Sequence, residues 1–221
     1  SIKKTKYIIK YYGLFNDSHE RLNRESNFLD FCSKKKIFLV PKLFHMDKKK
    51  KFTIMSHISG KKFKSPNSID KKLLNQAINF ILKLNQDPPL SFLRAKDSFN
   101  NTEEYLSSVK KKIKIFSSKK IVKEESKLYE EIIKKIIEDF KKIKKKFNTQ
   151  KSKFKNINLN LQRKDLCVSP SDFGFQNTLI SKNIVYFIDF EYAGLDDPVK
   201  CILDFFLNPN HKNLDIKDFY F

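Results

Sequence analysis

The spacing of apolar residues changes along the chain and divides it into a mixed first part, a helical middle and a mixed last part. Residues 6–12 combine β-branched and aromatic side chains and are followed by Gly13, which predicts a strand. The apolar residues of 16–32 follow a helical period, and 36–44 and 51–58 are short apolar runs typical of strands. The first part therefore predicts the order β-α-β-β.

The middle of the chain predicts three helices. Apolar residues recur at helical spacing in 69–84, a second helix begins near Thr102, whose side chain can cap it, and a third stripe steps by three or four from Leu128 to Phe147. The outer face of the third helix is strongly basic. We interpret it as a helix packed on a core, with its lysines in water; a helix lying on an anionic membrane or on nucleic acid is the alternative.

The last part returns to strand patterns. Residues 166–169 predict a short strand, and 177–190 contain two apolar runs separated by a polar turn at 181–183, which predicts a β-hairpin. A final helix is expected within 196–209.

Charge adds one question to this outline. The 221 residues fit one large domain or two small lobes, and the formal net charge is +21. Arg occurs at only four positions, so Lys supplies 42 of the 46 basic residues. Nucleic-acid binders favour Arg for bidentate and stacking contacts. We therefore attribute the charge to a Lys-rich surface shaped by compositional bias, and we do not expect nucleic acid as a partner.

Cysteine, histidine and hydropathy patterns exclude several classes. The three cysteines and four histidines show neither a disulfide framework nor a metal-ligand spacing. No apolar run approaches the ~18 residues of a membrane span, and the basic start lacks the apolar region of a signal peptide. We expect a cytoplasmic protein.

The predicted hairpin is bracketed by residues that could carry phosphoryl transfer. Asp172 stands five residues before Asn177, and Asp189 follows the hairpin. Phosphoryl transfer to a hydroxyl needs a carboxylate to orient the acceptor and oxygen ligands to hold Mg²⁺. Gly174 in the spacer would let the backbone pass close to a substrate or metal. The alternative is an Asx turn at Asp172 and an ordinary hairpin ending in a solvated Asp189.

The segment from Cys167 to Asp204 resembles the aminoglycoside phosphotransferase and choline kinase superfamily, and "IDFEYAGLDDP" is most similar to its choline/ethanolamine kinase branch. The resemblance implies that Asp172 is the catalytic base and that Asn177 and Asp189 hold the metal ions. One departure is Pro170, which stands where the family usually has His.

The N-terminal part resembles the nucleotide-binding part of the same family. "YIIKYY" is similar to the strand whose lysine grips the phosphates, which implies Lys10, and "RLNRESNFLDF" is similar to the next helix, which implies Glu25 as its ion-pair partner. "FTIMSHISG" resembles the strand and hinge whose backbone meets adenine, which implies Ser56, His57 and Ile58.

The resemblance implies an α+β, protein-kinase-like two-lobed fold. Residues 1–60 would form an N-terminal nucleotide-binding lobe with a small antiparallel sheet, and 61–221 a helical C-terminal lobe with the catalytic loop and metal-binding hairpin. Family members have a Gly-rich loop before the gripping lysine and further helices at the end. Neither is present here, so we expect a truncated or minimised chain.

The function implied is an ATP- and Mg²⁺-dependent kinase that phosphorylates a hydroxyl of a small molecule such as a sugar, an amino alcohol or an aminoglycoside. Two alternatives remain open. One is a catalytically inactive kinase-like scaffold or binding module, and the other is nucleic-acid binding through the basic helix at 124–147.

Overall fold

The structure, a computed structural model, describes residues 5–63, 71–89, 91–118, 126–153, 160–209 and 211. It divides into two compact units. One comprises Ser1–Ser98 and Arg163–Phe221, and the other comprises Phe99–Gln162. The predicted lobes of 1–60 and 61–221 both contribute to the first unit, and their boundary stays a prediction.

The first unit begins with a three-stranded antiparallel sheet and one helix. Its elements are β1 (Tyr7–Tyr11), α1 (Ser18–Lys34), β2 (Leu43–Asp47) and β3 (Phe52–Ser56). β3 lies in the centre, with β1 and β2 on either side, and Lys10 of β1 is paired with Thr53. The predicted order β-α-β-β is confirmed.

The predicted position of β2 is wrong by about seven residues at its start. Residues 36–42 precede the strand, and Ile37 and Val40 are buried there. Pro41 has no N–H to contribute to a ladder. The backbone of this segment bonds elsewhere, since the Leu39 carbonyl accepts a 2.8 Å hydrogen bond from the Phe187 N–H. The apolar run therefore forms a partly buried connection, and pairing with β3 begins at Leu43.

The rest of the first unit contains short strands and two helices. They are β4 (Lys61–Lys62), α2 (Lys71–Leu84), β5 (Cys167–Ser169), β6 (Thr178–Ser181), β7 (Ile184–Phe187), β8 (Gly194–Asp196) and α5 (Pro198–Phe206). β6 pairs with β4 and β7, and β5 pairs with β8. Lys182 and Asn183 both have positive φ, 50° and 64°, as a type I′ hairpin turn requires. The predicted hairpin is confirmed.

Aromatic side chains join these elements into a core. Phe80 stacks on Phe187 at 4.2 Å between ring centroids, and Phe173 lies 4.8 Å from Phe205. Phe28 of α1 stacks on Phe190 at 4.4 Å. Burying each such ring stabilises the fold by roughly 1.5–3 kcal/mol. Phe173, Phe187 and Phe190 lie within two residues of Asp172 or Asp189 in sequence, so the core fixes the backbone from which those two carboxylates extend.

The second unit is a helical hairpin made of α3 (Thr102–Ser117) and α4 (Ser126–Lys153). Asn101 caps α3, since its side chain accepts a hydrogen bond from the Glu104 N–H at 2.9 Å, so the predicted cap at Thr102 is wrong by one residue. No residue of α3 is buried.

The predicted stripe of α4 is largely exposed, at Leu128, Ile132, Ile136 and Ile143. The prediction of a core-packed helix is therefore wrong for these four positions. Among the residues that the structure describes, no helix combines the length and the apolar character needed to cross a bilayer.

Candidate active site

A buried ion pair links β1 to α1. Lys10 Nζ lies 2.7 Å from Glu25 Oε2, and Glu25 is only 2% exposed. The Tyr12 hydroxyl donates to the same oxygen at 2.6 Å, and the Phe190 N–H donates to Glu25 Oε1 at 3.2 Å. A buried carboxylate is tolerated when it is paired and hydrogen-bonded in this way. The structure thus brings together the lysine and glutamate that the resemblance singled out.

The charges around this pair keep Lys10 and the neighbouring Tyr12 protonated. Burial on its own lowers the pKa of Lys10, but the negative charges of Glu25 and then Asp189 outweigh it, so the pKa of Lys10 is raised. For Tyr12, whose charged form is an anion, burial raises the pKa, and the negative charge of Glu25 raises it further. Lys10 therefore remains a cation and Tyr12 remains a hydrogen-bond donor at neutral pH.

Asp189 joins the pair from the end of the hairpin. Its Oδ1 lies 2.6 Å from Lys10 Nζ, and its side chain is 45% exposed. The backbone of Asp189 is in the left-handed region, with φ of 70°, which residues other than glycine adopt infrequently. Buried Phe190 follows it directly. The strained turn therefore presents a solvent-accessible carboxylate beside Lys10.

The Asp172–Asn177 segment folds into a compact loop. A short 3₁₀ turn over Phe175–Asn177 brings the Asn177 amide back to Asp172, where Nδ2 donates to Oδ2 and to the backbone oxygen, each at 3.0 Å. Gln176 Nε2 lies 3.3 Å from Asp172 Oδ1. Ser171, directly before Asp172, also has positive φ, at 59°. The exposed Asp172 carboxylate is therefore oriented by two amides.

The backbone connects this loop to the Asp189 turn. The Ile188 N–H donates to the Asn177 carbonyl oxygen at 2.9 Å, and the next pair, Thr178 and Phe187, begins the β6–β7 ladder. Asn177 and Asp189 consequently lie at the same open end of the hairpin. A spacing of twelve residues in sequence becomes proximity in space because the hairpin folds back on itself.

The structure gives a different reason for Gly174. Its φ is 177°, which any residue can adopt. A Cβ atom at this position would collide with the Gln176 side chain and would lie 2.6 Å from Asn208 Nδ2. The absence of a side chain at Gly174 therefore leaves room for the Gln176 and Asn208 amides, which would both have to shift if a Cβ were added.

A charged network that the sequence did not indicate surrounds Glu191. Arg21 Nη1 lies 3.0 Å from Glu191 Oε1, and Lys10 Nζ lies 3.5 Å from Glu191 Oε2. Arg21 also binds Asp17 at 3.0 Å, and Lys96 binds Asp17 at 2.6 Å. The hydrogen bond from Lys96 holds the pKa of Asp17 below its usual range. Arginine is rare in this chain, and the presence of Arg21 four residues before Glu25 was a signal available in the sequence.

Two of the three predicted hinge residues, Ser56 and Ile58, border a cavity. Ser56 Oγ accepts a hydrogen bond from the Lys42 N–H at 2.9 Å, and His57 is exposed. A cavity of about 330 Å³ adjoins Ser56 and Ile58 and is otherwise lined by Leu29, Ser33, Ile37, Phe38, Val40, Pro41, Lys42 and Tyr186. Its lining does not include Lys10 or Asp189, and adenine contact at the hinge stays a prediction.

The oxygen donors fit a magnesium ion that arrives with a nucleotide. Within the described ranges, no group of three or more His, Cys, Asp or Glu side chains could hold a metal by itself. Mg²⁺ is commonly bound through one or two carboxylates together with substrate phosphates and waters. Asp189 offers an exposed carboxylate, and Asn177 offers an amide oxygen at the same end of the hairpin. The donor set is therefore suited to Mg²⁺ shared with phosphates.

Solved structures of three small-molecule kinases resemble the chain. The ADP-bound aminoglycoside phosphotransferase APH(2'')-Ib has a TM-score of 0.58 and 18% identity, over 89% of this chain and 63% of its own. Choline kinase LicA from Streptococcus pneumoniae has a TM-score of 0.57 and 15% identity, over 99% of this chain and 66% of its own. An ethanolamine kinase from Plasmodium vivax has a TM-score of 0.53 and 15% identity, over 91% and 54%. No family model and no curated protein sequence matches the chain.

These likenesses establish the fold. The chain has an α+β fold of the protein-kinase-like class, as predicted. More particularly, it has the fold of the aminoglycoside phosphotransferase and choline kinase superfamily, so the resemblance seen in the sequence is confirmed at the level of structure. The chain spans less than two thirds of the length of each of these three structures.

Proposed function

We propose that the protein is a phosphotransferase that moves the γ-phosphoryl group of ATP to a hydroxyl of a small molecule. One observation carries the proposal. The lysine–glutamate pair, the Asp189 carboxylate and the Asp172–Asn177 loop come from four separate segments of the chain. They lie around the open end of the β6–β7 hairpin. The alternative of an ordinary hairpin ending in a solvated Asp189 does not account for the salt bridge between Asp189 and Lys10.

Each residue has a distinct role in this proposal. Asp172 orients the acceptor hydroxyl and takes its proton, because its carboxylate is exposed and both of its oxygens face amide donors. Lys10 neutralises the α- and β-phosphates, and Glu25 holds Lys10 in place. Asn177 and Asp189 would hold Mg²⁺, which neutralises charge on the phosphates when it is bound. Catalysis then rests on positioning and on electrostatic stabilisation.

Nucleotide binding requires Lys10 to change partners. In the structure Lys10 Nζ binds Glu25 and Asp189 at the same time. The exposed Asp189 is the weaker of the two contacts because water screens it, whereas Glu25 is buried. We expect the phosphates to replace Asp189 on Lys10 and so to free the Asp189 carboxylate for the metal. Adenine would bind at Ser56, His57 and Ile58.

The acceptor is a small molecule with a free hydroxyl. The solved structures with this fold include an aminoglycoside phosphotransferase with streptomycin and ATP, a choline kinase and an ethanolamine kinase. Sugars, amino alcohols and aminoglycosides are therefore the classes to test. A cytoplasmic location is part of the same proposal.

The test is a transfer assay with ATP, Mg²⁺ and a panel of hydroxyl acceptors from these three classes. We expect one class to be phosphorylated by the wild-type chain, and we expect Asp172→Asn to reduce transfer by about 10³-fold or more with little change in ATP affinity. Asp30→Asn is the matched control, since Asp30 pairs only with exposed Lys34 on the surface of α1 among the ion pairs observed. Equal transfer by Asp172→Asn would refute the assignment, and ATP binding without transfer to any acceptor would favour an inactive scaffold.

A further inference from the structure

A buried histidine from the turn after α5 contacts the loop that carries Asp172 and Asn177. His211 is 2% exposed. Its Nε2 accepts a hydrogen bond from the Phe175 N–H at 2.9 Å, and its Nδ1 lies 2.6 Å from the Phe205 carbonyl oxygen. Phe175 is the first residue of the 3₁₀ turn that ends at Asn177. His211 therefore joins the end of α5 to the centre of the loop.

The two partners fix the protonation state of the ring. A carbonyl oxygen can only accept a hydrogen bond and a backbone N–H can only donate one, so His211 is neutral with its hydrogen on Nδ1. Burial lowers the pKa of His211, which favours the same state. The rings of Phe205 and Phe175 contact the imidazole edge to face, with centroids 4.6 Å and 5.3 Å away, and hold its plane.

The hydrogen bond from the Phe175 N–H to His211 is one of a small number of hydrogen bonds that define the turn. The Asn177 N–H donates to the Gly174 carbonyl at 3.1 Å, and the Thr178 hydroxyl donates to the Phe175 carbonyl at 2.7 Å. Phe175 is fully buried, so its N–H would lack a partner without His211 and could not turn to water.

We propose that His211 is a positioning residue of the active site: by accepting the Phe175 N–H it sets the turn that holds the Asn177 amide against Asp172. The effect of His211 on phosphoryl transfer rests on the proposed function, whereas its hydrogen bond to Phe175 does not. His211 touches none of Lys10, Glu25 or Asp189 in the contacts observed, so its effect falls on the acceptor side of the site and not on the lysine side.

Two substitutions separate the two hydrogen bonds of the ring. In His211→Gln, the side-chain oxygen reaches the place of Nε2 and can still accept from Phe175. In His211→Asn, the side chain is too short to reach Phe175 and retains a polar group only near the place of Nδ1. In the full chain, we expect the Phe175 amide to exchange with solvent at a similar rate in wild type and His211→Gln, and about tenfold faster or more in His211→Asn.

Kinetics distinguish positioning from general weakening of the fold. In the transfer assay, we expect His211→Asn to lower kcat by about 10- to 100-fold with KM for ATP within about threefold, while His211→Gln stays within about threefold of wild type in both. General weakening would affect the two variants alike and would raise KM as well, and that result would overturn the proposal.

Nuclear magnetic resonance of the wild-type ring needs no variant. Long-range ¹H–¹⁵N spectra are expected to show a neutral ring with its hydrogen on Nδ1. A hydrogen on Nε2, or an equally protected Phe175 amide in His211→Asn and wild type, would contradict the proposal. If the wild-type chain phosphorylates no acceptor, the proposed function fails, while the ring state and the Phe175 exchange rate still decide whether His211 holds the loop.

Discussion

The candidate site has a lysine side, formed by Lys10 and Glu25, and an acceptor side, formed by Asp172 and Asn177. The two sides differ in how their charged groups are bound by neighbouring residues. On the lysine side, Glu25 is 2% exposed and receives hydrogen bonds from Lys10, Tyr12 and the Phe190 N–H. On the acceptor side, Asp172 is exposed, and its carboxylate is held only by neutral amides of its own loop in the contacts observed. The carboxylate of Glu25 is therefore buried in the core, whereas that of Asp172 lies at the surface.

Because of this difference, we expect different residues to determine the stability of the fold and the activity of the site. Removing one partner from a buried, hydrogen-bonded charge is costly because the others are left without compensation. An exposed carboxylate can be replaced at little cost because water solvates what remains. We therefore expect substitutions on the lysine side to destabilise the fold, and substitutions of the exposed carboxylates to reduce activity or ligand binding in a chain that remains folded.

The largest effect on stability is expected for Glu25→Ala. The change leaves Lys10, the Tyr12 hydroxyl and the Phe190 N–H without their common acceptor, and we expect a loss of about 3–5 kcal/mol in the free energy of unfolding. Chemical denaturation followed by circular dichroism measures it. Glu20→Ala is the matched control on the same helix, because Glu20 is 66% exposed and pairs only with Arg24 among the observed ion pairs. Equal losses in the two variants would remove the distinction between the two sides.

Lys10→Met is expected to have an intermediate effect. Glu25 keeps Tyr12 and the Phe190 N–H, and Lys10 is itself partly exposed, so we expect a loss of about 1–3 kcal/mol. Lys6→Met, at an exposed position shortly before β1, controls for the removal of one of many lysines. The measurement is the same denaturation experiment. A Lys10→Met variant as stable as Lys6→Met would show that the ion pair adds nothing to the fold.

Asp189→Asn is expected to change stability by less than about 1 kcal/mol, since the Asp189 side chain is 45% exposed and water screens its salt bridge to Lys10. Asn also tolerates the left-handed backbone that this position requires. Thermal unfolding of wild type and variant, each without nucleotide, measures the difference. A loss as large as that of Glu25→Ala would mean that Asp189 belongs to the structural half of the site.

The smallest expected effect is a pH dependence from His211. Burial lowers its pKa in the folded state, so the unfolded chain binds more protons as the pH falls below the ordinary value of about 6.5, and stability decreases over that range. His211→Gln removes this contribution. As the pH falls from 7.5 to about 5.5, we expect the unfolding free energy of wild type to decrease more than that of His211→Gln. A difference that does not change with pH would show that His211 is not held neutral.

Local spacing was sufficient to predict the elements on which the site rests. The interval from Asp172 to Asn177 and the hairpin before Asp189 are short-range features, and a hairpin brings its two ends together whatever surrounds it. Lys10 and Glu25 stand on a strand and the helix that follows it, so their meeting also depends on neighbouring elements. Their roles in binding and catalysis remain predictions.

The parts that could not be predicted depend on long-range contacts. The pairing of β5 with β8 joins two segments whose nearest paired residues, Ser169 and Gly194, are 25 positions apart, and neither segment has a pattern that indicates its partner. The connection at 37–40 resembles a strand in sequence because an apolar run has the same pattern whether its backbone pairs in a sheet or, as here, its Ile37 and Val40 side chains are buried in a connecting segment. His211 bonds to backbone groups of Phe175 and Phe205, and a search for paired histidine side chains cannot detect such a contact.

The claim that both sides form one nucleotide–magnesium site is tested most directly by calorimetric titration with ATP. The full chain would be titrated in Mg²⁺ and again in excess EDTA, alongside Lys10→Met and Asp189→Asn. We expect wild-type binding that depends on Mg²⁺ and is weakened by about tenfold or more in each variant. Binding that is the same with and without Mg²⁺, or that neither variant changes, would contradict the claim.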